Sequence, residues 1–341
     1  MKFLDRVNHG LDYFLSKDIN NFIIGEDLLD PYGGAFKATK NLSKKYPSQI
    51  IGTPISESSF VGLAIGMTFS KNNVVVEIMF SDFLAIISDM LINTASKINL
   101  INNDLMQGKL FIRTPNGGRR GYGPIHSQSL EKIFFGFSEI KLISLNRAVD
   151  PYETYKKIFS DQYKSKINLI LETKIDYPKK MITDQDFEKN GFKKNFIEIG
   201  LGITELYNQE TKNDKSDFLF LCYGGMLEET LNAATKLFIE EELTSKILLP
   251  HQINPIEDQL INEIHSNKFD KLIVVEENTV DNSWGSLILS KLLKTQKNTN
   301  LSLDDIILLG SSTELISANI EKENNNLINS EKIFESLVNL K

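Results

Sequence analysis

Residues Thr53 to Asp82 read TPISESSFVGLAIGMTFSKNNVVVEIMFSD, and this stretch decides the fold. A Thr-Pro turn places the carboxylate of Glu57 just before an apolar segment whose spacing predicts a helix from near Ser58. Gly62 and Gly66 stand four apart and so share one face of that helix. Each costs ~1 kcal/mol of helix stability relative to Ala. A helix that keeps both points to close approach of another backbone, from the same domain or from another subunit. The chain then turns through Lys71-Asn72-Asn73 into Val74-Val75-Val76. Val74 to Met79 is apolar except for Glu77, as expected of a strand covered on both faces. Phe80 and Asp82 fall at the C-terminal end of that strand, where parallel sheets present ligands.

Outward from this stretch, strand-like and helix-like runs alternate, the pattern of a parallel α/β sheet. Asn21 to Ile24 reads as a strand running into Gly25-Glu26-Asp27, and a helix over Phe36 to Lys45 is expected after Gly33-Gly34. A long helix follows from Ser81 to Leu100, with strands at Leu110 to Arg113, Lys141 to Ser144 and Ile167 to Leu171. From Tyr177-Pro178 to Ser216 the chain turns polar and reads as a connector. A second α/β unit begins with a strand at Phe218 to Tyr223 and the Gly224-Gly225 turn. It continues with a helix at Leu227 to Glu240, strands at Lys246 to Leu249 and Lys271 to Val275, and a helix at Trp284 to Leu293. The expectation is therefore two doubly wound α/β domains, 1–178 and 217–341, joined by a connector at 179–216.

Bulk properties agree with that size. A chain of 341 residues is long for one core, and 41% apolar with 24% charged residues is ordinary for a globular protein. A formal charge of -7 argues against a general nucleic-acid or acidic-membrane surface. The lone Cys222 forms no internal disulfide, and no Cys/His spacing of a zinc site occurs. The opening MKFLDRVNHGLDYF has scattered charges and no continuous apolar core, so a secretory signal is not expected. No apolar run approaches the ~20 residues that cross a bilayer. These points suggest a reducing, cytoplasmic setting with no membrane span.

Three places can carry chemistry. Glu57 at a helix start meets the positive end of the dipole, worth ~0.3–1 kcal/mol. A Phe such as Phe80 is more often plain core. The segment Arg113 to Ser129, RTPNGGRRGYGPIHSQS, is rich in glycine but lacks the order of a P-loop and the spacing of a dinucleotide fingerprint. His126 lies near the end of this segment, and the other three histidines, His9, His251 and His265, lie outside any constellation.

The string PISESSFVGLAIGM, the run VVVEIMFSD and the His126-Ser127-Gln128 ending resemble the beta subunits of thiamine-diphosphate-dependent 2-oxo acid dehydrogenase first components. The pyruvate, branched-chain and acetoin types share this pyrimidine-binding domain. The segments CYGGMLEETLNAA, ILLPHQINPIED and LIVVEENTVDNSWGSLI extend the resemblance into a transketolase C-terminal-like domain. The resemblance implies that Glu57 touches the aminopyrimidine and drives its imino tautomer, with Phe80 stacking on the ring and Asp82 nearby as a further cofactor-binding position. It implies that His126 faces the active site, near the 2-oxo acid. Gly62 and Gly66 would meet another subunit. Arg119 and Arg120 would pair across a subunit contact or orient a substrate carboxylate.

The GDG segment with which thiamine enzymes hold magnesium and diphosphate is absent from the sequence. The expectation is half an active site: no metal ligands of its own, thiamine diphosphate shared with an alpha-type partner that holds the magnesium, and a beta–beta dimer within a two-alpha, two-beta assembly. The implied reaction is oxidative decarboxylation of a 2-oxo acid with acyl transfer to a lipoyl carrier on an acyltransferase. The alternative is a transketolase-like or acyloin-forming subunit without a lipoyl partner, and Glu77-Ile78-Met79-Phe80 favours the dehydrogenase branch. A structural potassium site near Leu145 to Asp150 is left open, because backbone ligands leave little trace in sequence. The turn at Gly225 and Asn282-Ser283-Trp284 departs from the family strings and puts a docking role for the second domain in doubt.

Overall fold

The computed structural model describes residues 1–208, 215–295 and 302–338. The chain forms two compact units, Met1–Gly117 with Gln128–Met181, and Gly118–Ser127 with Ile182–Lys341. The first unit holds six parallel strands: β1 (Asn21–Gly25), β2 (Ile50–Gly52), β3 (Asn73–Glu77), β4 (Leu110–Asn116), β5 (Ile140–Ser144) and β6 (Ile167–Thr173). They are ordered β5-β6-β4-β3-β1-β2. Val74, Val75 and Val76 are fully buried, as their unbroken β-branched run requires of a central strand. Val75 pairs with Ile23 on one side and Phe111 on the other, and Glu77 with Gly25 and Arg113. Because every strand points the same way, Glu26, the turn before Glu57, Phe80 and Lys174 all leave the same C-terminal edge.

Two local expectations differ from the structure. Phe36 to Lys45 is not one helix: only Leu42–Lys45 is helical. Gly33, Gly34, Lys37 and Asn41 all have positive φ, which breaks the run into turns. Asp30 then holds the turns by accepting from the Asn41 amide at 2.9 Å and the Ser43 hydroxyl at 2.7 Å. The helix after β3 begins as a tight turn at Ser81–Phe83 and continues through Leu84–Asp89, a π-helical stretch Met90–Ala95, and Ser96–Ile101.

The second unit contains β7 (Phe192–Ile197), β8 (Ile203–Asn208), β9 (Ser216–Cys222), β10 (Ser245–Pro250), β11 (Gln252–Asn254), β12 (Phe269–Val275) and β13 (Ile306–Leu309). Its sheet runs β13-β12-β9-β10-β8-β7, with β11 outside it. Strands β13, β12, β9 and β10 are parallel, and β8 and β7 close the edge antiparallel. The stretch 179–216, read from sequence as a connector, thus carries a helix (Asp184–Lys189, with a Thr183–Asp186 capping box) and two strands. Its polarity has a physical reason: β7 is an outer strand, and Lys193 and Asn195 stand exposed on it. Charged side chains on an edge discourage pairing with a further chain. Trp284 is fully buried and donates its indole N–H to the Ile253 carbonyl at 3.1 Å. The amides of Trp284 and Gly285, which open the helix Trp284–Thr295, donate to buried Glu276 at 3.1 and 3.0 Å. The departure from the family string at 282–284 is therefore an internal anchor of this unit.

Candidate functional site

The first unit gathers its chemistry at the C-terminal edge of its sheet. The Thr53 amide donates to the Gly25 carbonyl at 3.0 Å, tying the turn after β2 to the end of β1. Glu57 is the first residue of the helix Glu57–Thr68 and only 8% exposed. The Ser58 hydroxyl donates to the Ile86 carbonyl at 2.8 Å and fixes the helix start against the next helix. A carboxylate there is favoured by the unpaired first-turn amides.

Glu26, just past β1, was not singled out in the sequence. Its carboxyl is held above the usual range by burial, and further by the negative charges of Glu57, Asp27 and Glu77. Its Oε1 is buried without a hydrogen-bond partner. Two carboxyls thus lie close enough to feel each other at one edge, and the raised one favours the protonated form. A folded-state pKa above the unfolded value means the native state holds the extra proton, so stability falls as pH rises from about the ordinary glutamate value of 4.5 through the folded value. Glu26→Gln is expected to melt higher than the parent chain at pH 8, with the gap closing below pH ~4.5. Melting curves at several pH values check this; a variant that melts lower at pH 8 contradicts it.

Phe80 is partly exposed and meets Phe36 and Phe83 edge-on, with centroids 5.7 and 5.9 Å apart. Buried Lys174, just past β6, sets its ammonium 5.1 Å from the Phe80 centroid. Asp82 is 7% exposed. Its Oδ1 accepts from the amide and the side chain of Gln128 at 3.1 and 3.0 Å, while Oδ2 is buried without a partner. The Ser81 hydroxyl donates to the Gln128 carbonyl at 2.6 Å.

Beneath these residues lies a buried charge cluster, also unforeseen. Arg113 on β4 is fully buried and is paired with both Glu77 and Glu172. Its Nε donates to Glu172 at 2.9 Å, and Tyr155 and Tyr177 donate their hydroxyls to the same carboxylate. Burial pushes the Glu77 carboxyl up, outweighing the opposing pull of Arg113. The trace in the sequence was a single charged residue near the end of each of three apolar strands, in VVVE, LFIR and LILE.

His126 is partly exposed on the glycine-rich loop, which belongs to the second unit. Arg119 has ion-pair partners inside the second unit. Its side chain, 8% exposed, lies 3.4 Å from Glu229 and 3.7 Å from Glu277. Arg120 lies over the Tyr122 ring at 5.4 Å. A Cβ at Gly62 would meet only Met90 Sδ at 3.7 Å, and one at Gly66 would meet nothing within 4 Å. Packing inside this unit therefore does not account for either glycine. Among the described residues no group of three or more His, Cys, Asp or Glu could hold a metal ion, and no helix is long and apolar enough to cross a membrane.

Comparison with known proteins places this geometry. Residues 2–180 match the transketolase pyrimidine binding domain, and residues 208–321 the transketolase C-terminal domain. The pyruvate dehydrogenase E1 component subunit beta-1 of Arabidopsis thaliana is 27% identical over 80% of this chain and 71% of that protein. The human pyruvate dehydrogenase E1 beta subunit is 25% identical over 94% and 85%. The 2-oxoisovalerate dehydrogenase subunit beta of Bacillus subtilis is 24% identical over 83% and 81%. Among solved structures, a split gene transketolase, described as an inactive beta4 tetramer, shares the fold with a TM-score of 0.65 at 14% identity, covering 98% of this chain and 97% of that one. The chain belongs to the transketolase pyrimidine-binding family, in the two-domain form of the beta subunits of 2-oxo acid dehydrogenase first components.

Proposed function

We propose that this chain is the beta subunit of a thiamine-diphosphate-dependent 2-oxo acid dehydrogenase, acting with an alpha-type partner. The observation that carries the reading is the Glu57 carboxylate at a buried helix start, beside protonation-prone Glu26 and at the same sheet edge as the Phe80 cluster. The donor set suits an aminopyrimidine. Glu57 can hold the proton at the ring nitrogen, Phe80 offers a ring surface braced by Phe36 and Phe83, and the unpartnered Glu26 Oε1 and Asp82 Oδ2 await polar partners. Bound thiamine diphosphate would supply attack on the 2-oxo carbon and a sink for the electrons released with carbon dioxide. A carboxylate in a dry site at the ring nitrogen favours the tautomer that makes this possible. His126 is assigned to the substrate side, where an imidazole can pass a proton to the bound 2-oxo acid or its product.

Magnesium and the diphosphate are assigned to the partner, since this chain has no GDG segment. The glycine face of the helix Glu57–Thr68, with half-exposed Leu63 beside it, is assigned to a subunit contact. The setting is assigned to the cytoplasm, on the strength of the single buried cysteine. Reconstitution with a GDG-bearing alpha chain tests the function. The expected result is carbon dioxide release from a 2-oxo acid with reductive acylation of a lipoyl domain. Ketol transfer between sugar phosphates, with no action on 2-oxo acids, would replace this reading with the transketolase one.

A further inference from the structure

The loop that carries His126 has neither helix nor strand between β4 and the short helical turn at Glu131–Phe134. Gly117, Gly121 and Gly123 take positive φ, which glycine permits, and Arg119 is the one non-glycine held in that region. Two carboxylates hold the loop from outside. The Gly118 amide donates to Glu277 Oε1 at 2.7 Å, and the Gly121 amide to Glu323 Oε2 at 2.6 Å. Arg119, between them, is paired with Glu229 and Glu277 and donates to the Ile328 carbonyl.

Glu323 is fully buried on the short helix Ile320–Asn326, whose start is capped by Asn319 accepting from the Glu321 and Lys322 amides at 3.0 and 3.1 Å. The fit is close: a Cβ on Gly118 would lie 2.8 Å from Leu327 Cδ1 and 3.0 Å from Glu323 Oε1. The His126 amide in turn closes the loop on the Gly123 carbonyl at 3.2 Å. Amide-to-carboxylate bonds of this length are charge-assisted and stronger than neutral ones.

We infer that Glu323 and Glu277 are positioning residues for His126, fixing the imidazole through the loop backbone. The inference rests on the reading of His126 as a substrate-side group. A misplacement of about 1 Å in such a group can cost on the order of 100-fold in rate. In the complex assembled with the alpha-type partner, Glu323→Ala is expected to lower kcat by about 10–100-fold, with thiamine diphosphate affinity nearly unchanged. Glu323→Gln keeps a carbonyl acceptor for the Gly121 amide and should stay within about threefold of the parent.

Hydrogen–deuterium exchange should show faster exchange across 118–127 in the Ala variant. In a His126→Ala background the same change should have little further effect on kcat, because both act on one group. If Glu323→Ala does not assemble, Glu277→Ala carries the same expectations. Unchanged loop exchange, or a kcat loss that persists in full without His126, overturns the inference. If instead the loop loosens while His126→Ala leaves kcat intact, the substrate-side reading of His126 fails and the anchoring itself stands.

Discussion

Glu57→Gln is expected to lower turnover of the assembled enzyme by about 1,000-fold, the middle of the range that a positioned acid–base group contributes. The amide keeps the size and a carbonyl acceptor but cannot take and return the ring-nitrogen proton. The fold should be unaffected, since helix-start interactions at this position are worth ~0.3–1 kcal/mol. The helix buries Phe60, Val61, Ala64 and Ile65 irrespective of that charge. Steady-state decarboxylation at saturating thiamine diphosphate, together with a melting curve, separates the two effects. Turnover within about threefold of the parent would remove the cofactor-activating role.

The second large effect is on stability. Arg113→Met should destabilise the chain by about 3–5 kcal/mol, the cost of leaving a buried ion-pair partner uncompensated. Glu77 and Glu172 would then face each other with no cation between them, at 3% and 0% exposure. Burial already holds the Glu77 carboxyl high with Arg113 in place, so the variant is expected to take up protons there. Its deficit should shrink as pH falls, because protonation relieves the repulsion. Adding Glu77→Gln and Glu172→Gln should recover much of the loss, since a neutral buried cluster avoids the unpaired charges. Urea titrations of the full chain measure this, and a change below about 1 kcal/mol would mean the cluster is not a stabilising unit.

The central strand was legible because Val74 to Val76 admits few alternatives to a doubly covered strand, and Glu57 stood out beside it. The site's other half was harder to read. Glu26 resembles any acidic residue in a Gly-Glu-Asp turn, and only the parallel order of β1, β2 and β3 brings it to Glu57. The Arg113 cluster joins residues 36 and 59 positions apart. Its separate charges carry no helical or strand period that would announce a contact. The β7–β8 pair was hidden by the Lys- and Asn-rich surface that suits an edge strand. The partners of Arg119 within the chain were equally hidden: an arginine in a glycine-rich loop looks available, whereas Glu229 and Glu277 lie more than a hundred residues away.

A chain that furnishes only the pyrimidine half of a shared thiamine site has no contacts of its own to the diphosphate. Metal and amide contacts to a diphosphate are strong charge-assisted interactions, so a chain without them should hold the cofactor weakly. Titration calorimetry with thiamine diphosphate, with and without magnesium, on this chain alone and then on its complex with the alpha-type partner, tests whether the site is shared in this way. Weak, magnesium-indifferent binding to the single chain and tight, magnesium-dependent binding to the complex are expected. Tight, magnesium-dependent binding by the single chain would contradict it.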